Sequence, residues 1–324
     1  MVAWLVKRLA LMAPVMIGIT IITFAVIHLA PGEPVDRMTD LNPKISAQAK
    51  QKMREMYHLD EPLPVQYFLW FKRFAALDFG TSFSADNRPV LDKIMERLPI
   101  TVFINVASLF IIFALSIPLG VLSAVRPHSF FDKATTLFVF LGFSTPGFWL
   151  SLLLMILFGV QLGWLPISGI RSIDFEEFTA WGKFVDYARH LVLPVLLSSL
   201  TSLAFLSRVT RQSMLEVVRQ DYVTTARAKG CTETTVVFRH ALRNALLPIV
   251  TIIGLSVPSL IGGSVIFETI FSIPGMGQLF YESVMSRDYP LVMGILVIGS
   301  ALTLIGNLLA DVSYAVADPR IRYE

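Results

Sequence analysis

Long uncharged runs of apolar residues dominate the sequence pattern. A helix needs roughly 20 consecutive apolar residues to cross the hydrocarbon core of a bilayer, and six stretches of the chain come close to or exceed that length. They are Leu9 to Ala30, Ile100 to Val125, Ala134 to Ile170, His190 to Ser207, Asn244 to Phe267 and Tyr289 to Ala310. The pattern predicts an all-α membrane protein with six transmembrane helices, the third stretch holding one helix and an exit loop.

The composition agrees with a polytopic membrane protein. Hydrophobic residues make up 54% of the 324 residues and charged residues 16%, against about 25% charged in soluble domains. Lys7 and Arg8 precede the first stretch as in a signal peptide, but no small-x-small cleavage site stands before Pro31, so we expect a retained span. The net charge of +3 comes from basic residues beside apolar stretches, which argues against nucleic-acid binding.

Lysine and arginine fall unevenly between the short connections. If the N-terminus is cytoplasmic, thirteen of them lie inside and four outside, which fits the positive-inside rule. The four outside residues are Arg171, Lys183, Arg189 and Arg287. We therefore expect both termini in the cytoplasm.

Polar segments divide the chain into three parts. Residues 1–30 hold the N-terminal segment and the first span, residues 31–99 form an extracytoplasmic helical cap, and residues 100–324 form a core of five spans with a cytoplasmic insert at about 208–245. Helical patterns in the cap cover Ser46 to His58 and Val65 to Leu77. An aromatic cluster there packs against the spans or headgroups, or else docks a soluble partner. Its members are Tyr67, Phe68, Trp70, Phe71 and Phe74.

Helix-breaking residues are expected to interrupt four of the spans. They are Pro118 with Gly120, Ser144 to Gly147, Pro194, and Pro258 with Gly262 and Gly263. A broken membrane helix is tolerated where protein or a water-filled cavity satisfies the freed backbone groups. Together these residues indicate a pathway, although glycine and proline are also commonly enriched in membrane helices.

Ionisable residues are nearly absent from the spans, which argues against a proton-coupled carrier. Only His28 and Asp311 stand out, and we expect Asp311 to make a structural contact with Asn307 on the same helix face. The sequence contains no phosphate-binding loop, no His-Glu-x-x-His and no Gly-x-Ser-x-Gly. We therefore expect neither a cofactor nor a metal in this chain, and another chain would hydrolyse any nucleotide.

The polar insert is the most informative segment. Tyr222 to Lys229 is predicted to be helical, Gly230 to end that helix, and Thr232 to cap a second one. Three small or apolar residues are expected to face a partner beneath the insert: Ala226, Ala228 and Val236. The alternative is an amphipathic hairpin that lies on anionic headgroups.

The insert resembles that of permease subunits of binding-protein-dependent ABC importers, in the dipeptide, oligopeptide and nickel branch. The family signature Glu-Ala-Ala-x-x-x-Gly falls on Thr224-Thr225-Ala226-Arg-Ala-Lys-Gly230, with threonines replacing the glutamate and the first alanine. Arg243 follows Leu242 where the general pattern has proline, as is usual in the peptide branch. Further segments that look like this branch are Asp78 to Ser82, Arg97 to Thr101, His240 to Pro248, Ile270 to Gln278, Arg287 to Pro290 and Asp318 to Tyr323.

The resemblance implies a type I importer, in which two six-helix permeases face each other in the cytoplasmic membrane of a bacterium or archaeon. The second permease is expected to be related rather than identical, two ATP-binding subunits carry ATP and Mg, and a soluble substrate-binding protein delivers the cargo. Peptides are the expected cargo, with glutathione, nickel chelates and some sugars as alternatives. A secondary carrier would instead show buried acids or an inverted repeat, and a membrane-anchored assembly factor would need no polar pathway.

Roles for individual residues follow from the resemblance. Coupling to the ATPase is expected at Thr224, Thr225, Ala226, Gly230, Cys231, Thr232 and Glu233. Small polar residues that either line the pathway or pack between helices are Ser144, Thr145, Ser198, Ser202 and Ser256. Arg208 and Arg211 either anchor the fourth span at the inner headgroups or act at the inner mouth, where they would gate it or pair with Glu216 and Asp221.

Overall fold

Helices make up all the regular elements of the residues that the computed structural model describes, which are 2–29, 51 and 60–317. In chain order the helices longer than one turn are α1 (Val2–Leu29), α2 (Leu63–Ala75), α3 (Val90–Val125), α4 (Phe130–Ser144), α5 (Gly147–Gln161), α6 (Ala180–Val218), α7 (Asp221–Ala228), α8 (Glu233–Ala245), α9 (Leu247–Ser256), α10 (Val265–Ile270), α11 (Met276–Met285) and α12 (Tyr289–Ala317). Single turns of 3₁₀ helix lie at Phe175–Glu177 and Pro258–Leu260. The helix predicted at Ser46 to His58 and the terminal motif from Asp318 lie outside the described residues.

Four of the described helices are long and apolar enough to cross a membrane, namely α1, α3, α6 and α12. Two bent pairs raise the number to six if each pair is one span: α4 with α5, bent by 101°, and α8 with α9, bent by 48°. The predicted all-helical membrane architecture is therefore confirmed at the level of four to six apolar crossing helices.

Helices α3 and α6 form the central pair of the bundle. They contain 36 and 39 residues, which at 1.5 Å per residue gives lengths of about 54 and 58 Å. Gly120 brings the two helices close together, since a β-carbon at this position would lie 2.5 Å from the β-carbon of Thr210. The prediction that Pro118, Gly120 and Pro194 interrupt the second and fourth spans is wrong, because both helices continue through them. Packing against neighbouring helices makes such prolines tolerable in membrane helices.

The third and fifth predicted spans are broken, as expected. The helix α4 ends at Ser144, and Pro146 precedes α5. After α9, a single turn of 3₁₀ helix covers Pro258–Leu260, and non-helical backbone at Gly262 and Gly263 leads to α10. Two of the four predicted interruptions are therefore real.

The helices α1 and α12 run antiparallel along one side of the bundle. Phe24 and Ile27 pack against Val292 and Met293 near one end, and Arg8 Nη1 lies 2.9 Å from Asp311 Oδ2 near the other. Asp311 thus pairs with Arg8, and its expected contact with Asn307 stays a prediction. The second contact lies at the end of the bundle that carries the insert, here called the insert end; the opposite end is called the loop end.

The helix α2 packs against α1 through its aromatic side chains. The hydroxyl of Tyr67 lies 3.0 Å from Oγ1 of Thr20, and the ring centroid of Phe24 lies 5.4 Å from that of Tyr67 and 6.2 Å from that of Trp70. Phe68 faces away and is 65% exposed. For Tyr67 and Trp70, the structure therefore shows the predicted packing against the spans.

Candidate functional site

The turn of the insert is built by Gly230. This residue has φ +81°, a left-handed conformation that glycine adopts without strain. The N–H of Gly230 donates to the carbonyl oxygen of Arg227, and the N–H of Cys231 to that of Ala226. These two bonds form a Schellman motif that ends α7, and the Thr232 hydroxyl oxygen then accepts the N–H of Thr235 and begins α8. The predicted stop and cap are both confirmed.

Apolar side chains fill the space between α7 and α8. Val223, Ala226 and Val236 form a buried cluster, against which Val217 at the end of α6 is packed. The expectation that Ala226 and Val236 face a partner is wrong, since they are 7% and 0% exposed. Small side chains such as Ala226 suit close packing inside the insert as well as contact with a partner protein. The residue type alone therefore could not distinguish burial from an interface.

The outer face of the insert is polar. Its exposed residues include Thr224, Thr225, Ala228, Gly230, Thr232 and Glu233, whereas Cys231 is half-buried. Nε of Arg227 lies 2.8 Å from Oε1 of Glu233, so an ion pair spans the turn. Of the seven predicted coupling residues, six therefore remain at or near the surface and Ala226 does not.

The second helix of the insert is seated on the bundle. Val237, Ala241 and Ala245 of α8 pack with Met214 of α6 and Val121 of α3 in one buried cluster. A displacement of the insert must therefore carry the adjoining ends of the two long helices with it, because close-packed interiors transmit displacement.

Three of the predicted pathway serines surround one cavity. Ser198 and Ser202 of α6 and Ser256 of α9 line a space of about 260 Å³. Further polar residues in its wall are Asn105, Ser108 and Ser259, and none of the described residues that line it is charged. Ser144 and Thr145 do not contribute; they lie at the break between α4 and α5, where Ser144 is exposed and Thr145 half-buried.

Asn105 is a residue of this cavity that the sequence analysis missed. Its Nδ2 donates to the carbonyl oxygens of Leu260 and Gly262, at 2.9 and 3.0 Å. These carbonyls belong to the broken segment after α9, where the helix no longer supplies donors. An amide side chain within the apolar run from Ile100 to Val125 was the signal available in the sequence.

Arg211 binds Asp132, and not Glu216 or Asp221 as one of the alternatives for this residue proposed. Nε and Nη2 of Arg211 donate to Oδ1 and Oδ2 of Asp132 at 2.7 and 2.8 Å, joining α6 to the first turn of α4. The backbone N–H of His128 also donates to Asp132 Oδ2. Asp132 is 4% exposed. Of the alternatives for Arg211, pairing with Glu216 or Asp221 is therefore wrong.

Arg208 lies one turn before Arg211 and is exposed. It lines a cavity of about 500 Å³ at the insert end, together with Ser123, Thr135, Thr136 and Gln212. Arg211 lines the same cavity but is tied to α4 through Asp132, and this contact distinguishes the two arginines.

Distant parts of the chain meet in buried polar contacts at the loop end. Ser82 Oγ donates to Asp288 Oδ2. Thr101 Oγ1 donates to Oε1 of Glu268 at 3.0 Å and accepts the N–H of Met276 at 2.8 Å. Four of the branch-like segments are joined in this way, and the acids Glu268 and Asp288 were not singled out by the sequence analysis.

A more exposed ion pair flanks these contacts. Lys93 Nζ lies 2.8 Å from Asp86 Oδ1. Hydrogen bonds from Lys93 and from the Ser84 hydroxyl lower the pKa of Asp86 to about 2. The carboxylate is therefore held in its charged form at any pH near neutrality.

Comparison with known families covers almost the whole chain. Residues 116–323 match the family described as binding-protein-dependent transport system inner membrane component. Residues 1–105 match the N-terminal family of such membrane components.

Individual relatives are similar over their full length. The chain is 44% identical over 323 residues to the oligopeptide transport system permease protein AppB of Bacillus subtilis, covering 100% of both chains. It is 38% identical to the dipeptide transport system permease protein DppB of Alkalihalophilus pseudofirmus and 36% identical to that of Escherichia coli, again over 100% of each chain.

Proposed function

The chain belongs to the family of inner-membrane components of binding-protein-dependent transport systems, and from this premise we propose that it forms the peptide pathway of an ATP-driven importer. It is a transport subunit and not an enzyme, and the hydrolysis of ATP belongs to partner subunits. The observation that carries the peptide cargo is the full-length similarity to permeases named for oligopeptide and dipeptide transport. Glutathione and nickel chelates are the second candidates for cargo.

Six spans with the insert end in the cytoplasm make up the proposed topology. Each bent helix pair then counts as one span. The Arg8–Asp311 contact supports it, because it brings the first and last spans together at the insert end. Thirteen basic residues against four in the short connections favour the cytoplasm for that end. Residues 31–99 then form the extracytoplasmic cap, of which α2 lies against the first span.

The exposed face of the insert is the proposed contact with an ATP-binding subunit. Thr224, Thr225, Gly230, Thr232 and Glu233 lie on or beside this face, with Cys231 partly covered. Ala226 contributes from inside by fixing the spacing of α7 and α8. When two ATPases close on ATP, a rigid-body push on the insert would reach both long helices. A headgroup-bound hairpin is the alternative. The residues beside the turn are mostly polar, whereas Tyr222 and Phe238 elsewhere in the insert are 41% and 57% exposed.

The cavity around Ser198, Ser202 and Ser256 is the proposed part of the pathway within this chain. Hydroxyl and amide groups can replace water around a peptide backbone without selecting the charge of its side chains. Ser144 and Thr145 would act at the helix break, and Arg208 at the inner mouth. A peptide that passes the described part of this wall would meet no charged side chain there.

The partners of this proposal are a second, related permease, two ATP-binding subunits that hold ATP and Mg, and an extracytoplasmic binding protein. This chain holds no cofactor of its own in the proposal. Because only a difference in affinity between two states can shift their balance, the insert must contact the ATPases differently before and after closure.

Reconstitution tests the proposal. The tagged chain is purified from its native membrane in mild detergent with its associated proteins, placed in liposomes with the binding protein, and assayed for uptake of labelled dipeptide, oligopeptide, glutathione and nickel chelate. We expect ATP-dependent uptake of peptides. Gly230→Pro should abolish uptake, since proline cannot adopt φ +81°. Uptake without ATP by the chain alone would overturn the importer in favour of a carrier.

A further inference from the structure

We propose that the Arg211–Asp132 ion pair transmits movement of the insert to the broken third span, which makes these two residues positioning residues for transport. The inference rests on the proposed importer function. The inference goes beyond that function because it names one side-chain contact, Arg211 with Asp132, as the mechanical link between the ATPase contact and one wall of the pathway.

The geometry of the contact suits a link that carries force. Two parallel N–H···O bonds of 2.7 and 2.8 Å join the guanidinium to the carboxylate, and this bidentate arrangement fixes orientation as well as distance. The side chains of Arg211 and Asp132 are 27% and 5% exposed, so water competes little for the acid. The Ser129 hydroxyl also accepts the N–H of Asp132 and fixes the start of α4.

Little else holds the insert-end half of α4 against the bundle. Only Asp132, Val139 and Gly142 of its fifteen residues are buried. Two turns of helix therefore separate the ion pair from the next buried contact. Cavities of about 500 and 490 Å³ both border Arg211 and Thr136. The space at this contact would let α4 move if the ion pair were absent.

A continuous series of packed contacts leads from the insert to Arg211. Val236 and Val223 pack on Val217, and Val237 packs with Met214. Both Val217 and Met214 belong to the last two turns of α6, directly after Arg211. Since α6 is continuous through this region, movement of the insert displaces the guanidinium with it.

Asp132, the acidic partner of the ion pair, lies on a helix that ends at a bend. The helix α4 runs from Asp132 to Ser144 and then meets α5 at an angle of 101°. The break contains Thr145 and Pro146, and Pro146 cannot supply a backbone N–H. A pull at the first turn of α4 is therefore expected to change the angle at the break, where no continuous helix resists it.

The test separates coupling from folding by measuring uptake and ATP hydrolysis in the same vesicles. In the complete complex with its binding protein, Asp132→Asn and Arg211→Gln should lower peptide uptake per ATP hydrolysed by about tenfold, within the usual range of coupling between sites. The rate of ATP hydrolysis should fall by much less. The exchange variant, Asp132→Arg with Arg211→Asp, should recover part of the lost uptake.

Arg88→Gln is the matched control, because it removes an exposed arginine–glutamate pair at the loop end. It should leave the ratio of uptake to hydrolysis unchanged. If the single variants do not assemble, Arg211→Lys decides the question, since lysine keeps the charge but loses the bidentate geometry. A normal ratio in an assembled single variant or in Arg211→Lys overturns the proposal. Failure of the wild type to take up peptide would instead count against the proposed function.

Discussion

The two ends of the bundle are held together by different kinds of contact. At the loop end, hydroxyls and carboxylates from distant parts of the chain are buried against each other, as in Ser82 with Asp288 and Thr101 with Glu268. At the insert end, small and aliphatic side chains pack two short helices onto the ends of α3 and α6, and the Arg211–Asp132 pair is the main buried polar contact that we identify there. At the loop end the directional bonds reinforce a buried apolar cluster that includes Val90, Ile94 and Leu291, whereas the insert end depends mainly on apolar surface fit.

The difference suggests a division of labour. Directional bonds between distant segments have one geometry and cost free energy when a partner is lost. Apolar contacts are non-directional, and the loss of one leaves no polar group unsatisfied. We therefore expect the loop end to set the stability of the fold and the insert end to set the response to a partner.

Removing a loop-end acid should give the largest loss of stability. In Glu268→Ala the hydroxyl of Thr101 and the N–H of Gln278 lose their acceptor, and we expect the free energy of unfolding to fall by about 3 kcal/mol. Unfolding of the purified protein by denaturing detergent measures the change. Glu282→Ala, an exposed acid of the neighbouring α11, should change stability by less than about 0.5 kcal/mol. Equal effects of the two variants would contradict the division.

Crowding the loop end should have the next largest effect. A β-carbon on Gly275 would lie 2.5 Å from the Glu268 carboxyl carbon and 2.6 Å from Thr101 Oγ1, so Gly275→Ala should cost about 1–3 kcal/mol of stability. Gly18→Ala is the control, since nothing lies within 4 Å of a β-carbon there. The same unfolding assay compares them, and a stable Gly275→Ala protein would show that this region is looser than its contacts indicate.

Gly230→Ala should separate stability from partner binding at the insert end. Alanine at φ +81° is strained by about 1–2 kcal/mol, a cost that a small, partly exposed turn can relieve by shifting. We expect unfolding of the bundle to stay unchanged while affinity for the purified ATP-binding subunit falls about tenfold, the equivalent of 1.4 kcal/mol. Binding in lipid nanodiscs measures this. Unchanged affinity would mean that the turn does not position the contact.

The smallest effect is expected from the exposed loop-end pair of Asp86 and Lys93. The folded-state pKa of Asp86, about 2, lies below its unfolded value of about 3.9. The contribution to stability is therefore complete above about pH 4 and is lost as the pH falls toward 2. Because the Asp86 side chain is 44% exposed, Asp86→Asn should cost less than about 1 kcal/mol at pH 7. The difference in unfolding free energy between the two proteins should shrink as the pH falls from 7 to 3; a difference that grows would contradict the assignment.

Local chemistry made the turn of the insert predictable from sequence. Gly230 and Thr232 act on backbone groups within six residues of themselves, so their types alone indicate the turn. The apolar stretches were predictable for a similar reason, since the thickness of a bilayer sets their length.

Contacts between distant segments were not predictable in the same way. Asp132 and Arg211 are 79 residues apart, and Ser82 and Asp288 are 206 apart. The continuity of α3 through Pro118 depends on its packing in the bundle, and the burial of Ala226 depends on Val236 across the turn. In each case the outcome depends on a partner whose position only the fold supplies.

The contact between Arg8 and Asp311 also has a consequence for the order of synthesis. About 300 residues separate the two, so at 5–20 residues per second the ribosome delivers the aspartate some 15–60 s after the arginine. During that interval α1 must stay in the membrane without its later neighbour α12. Its sequence suits this wait, because no charged residue lies between Leu9 and Leu29 and much of its surface is apolar and exposed. We therefore expect the ion pair to be one of the last contacts of the bundle to form.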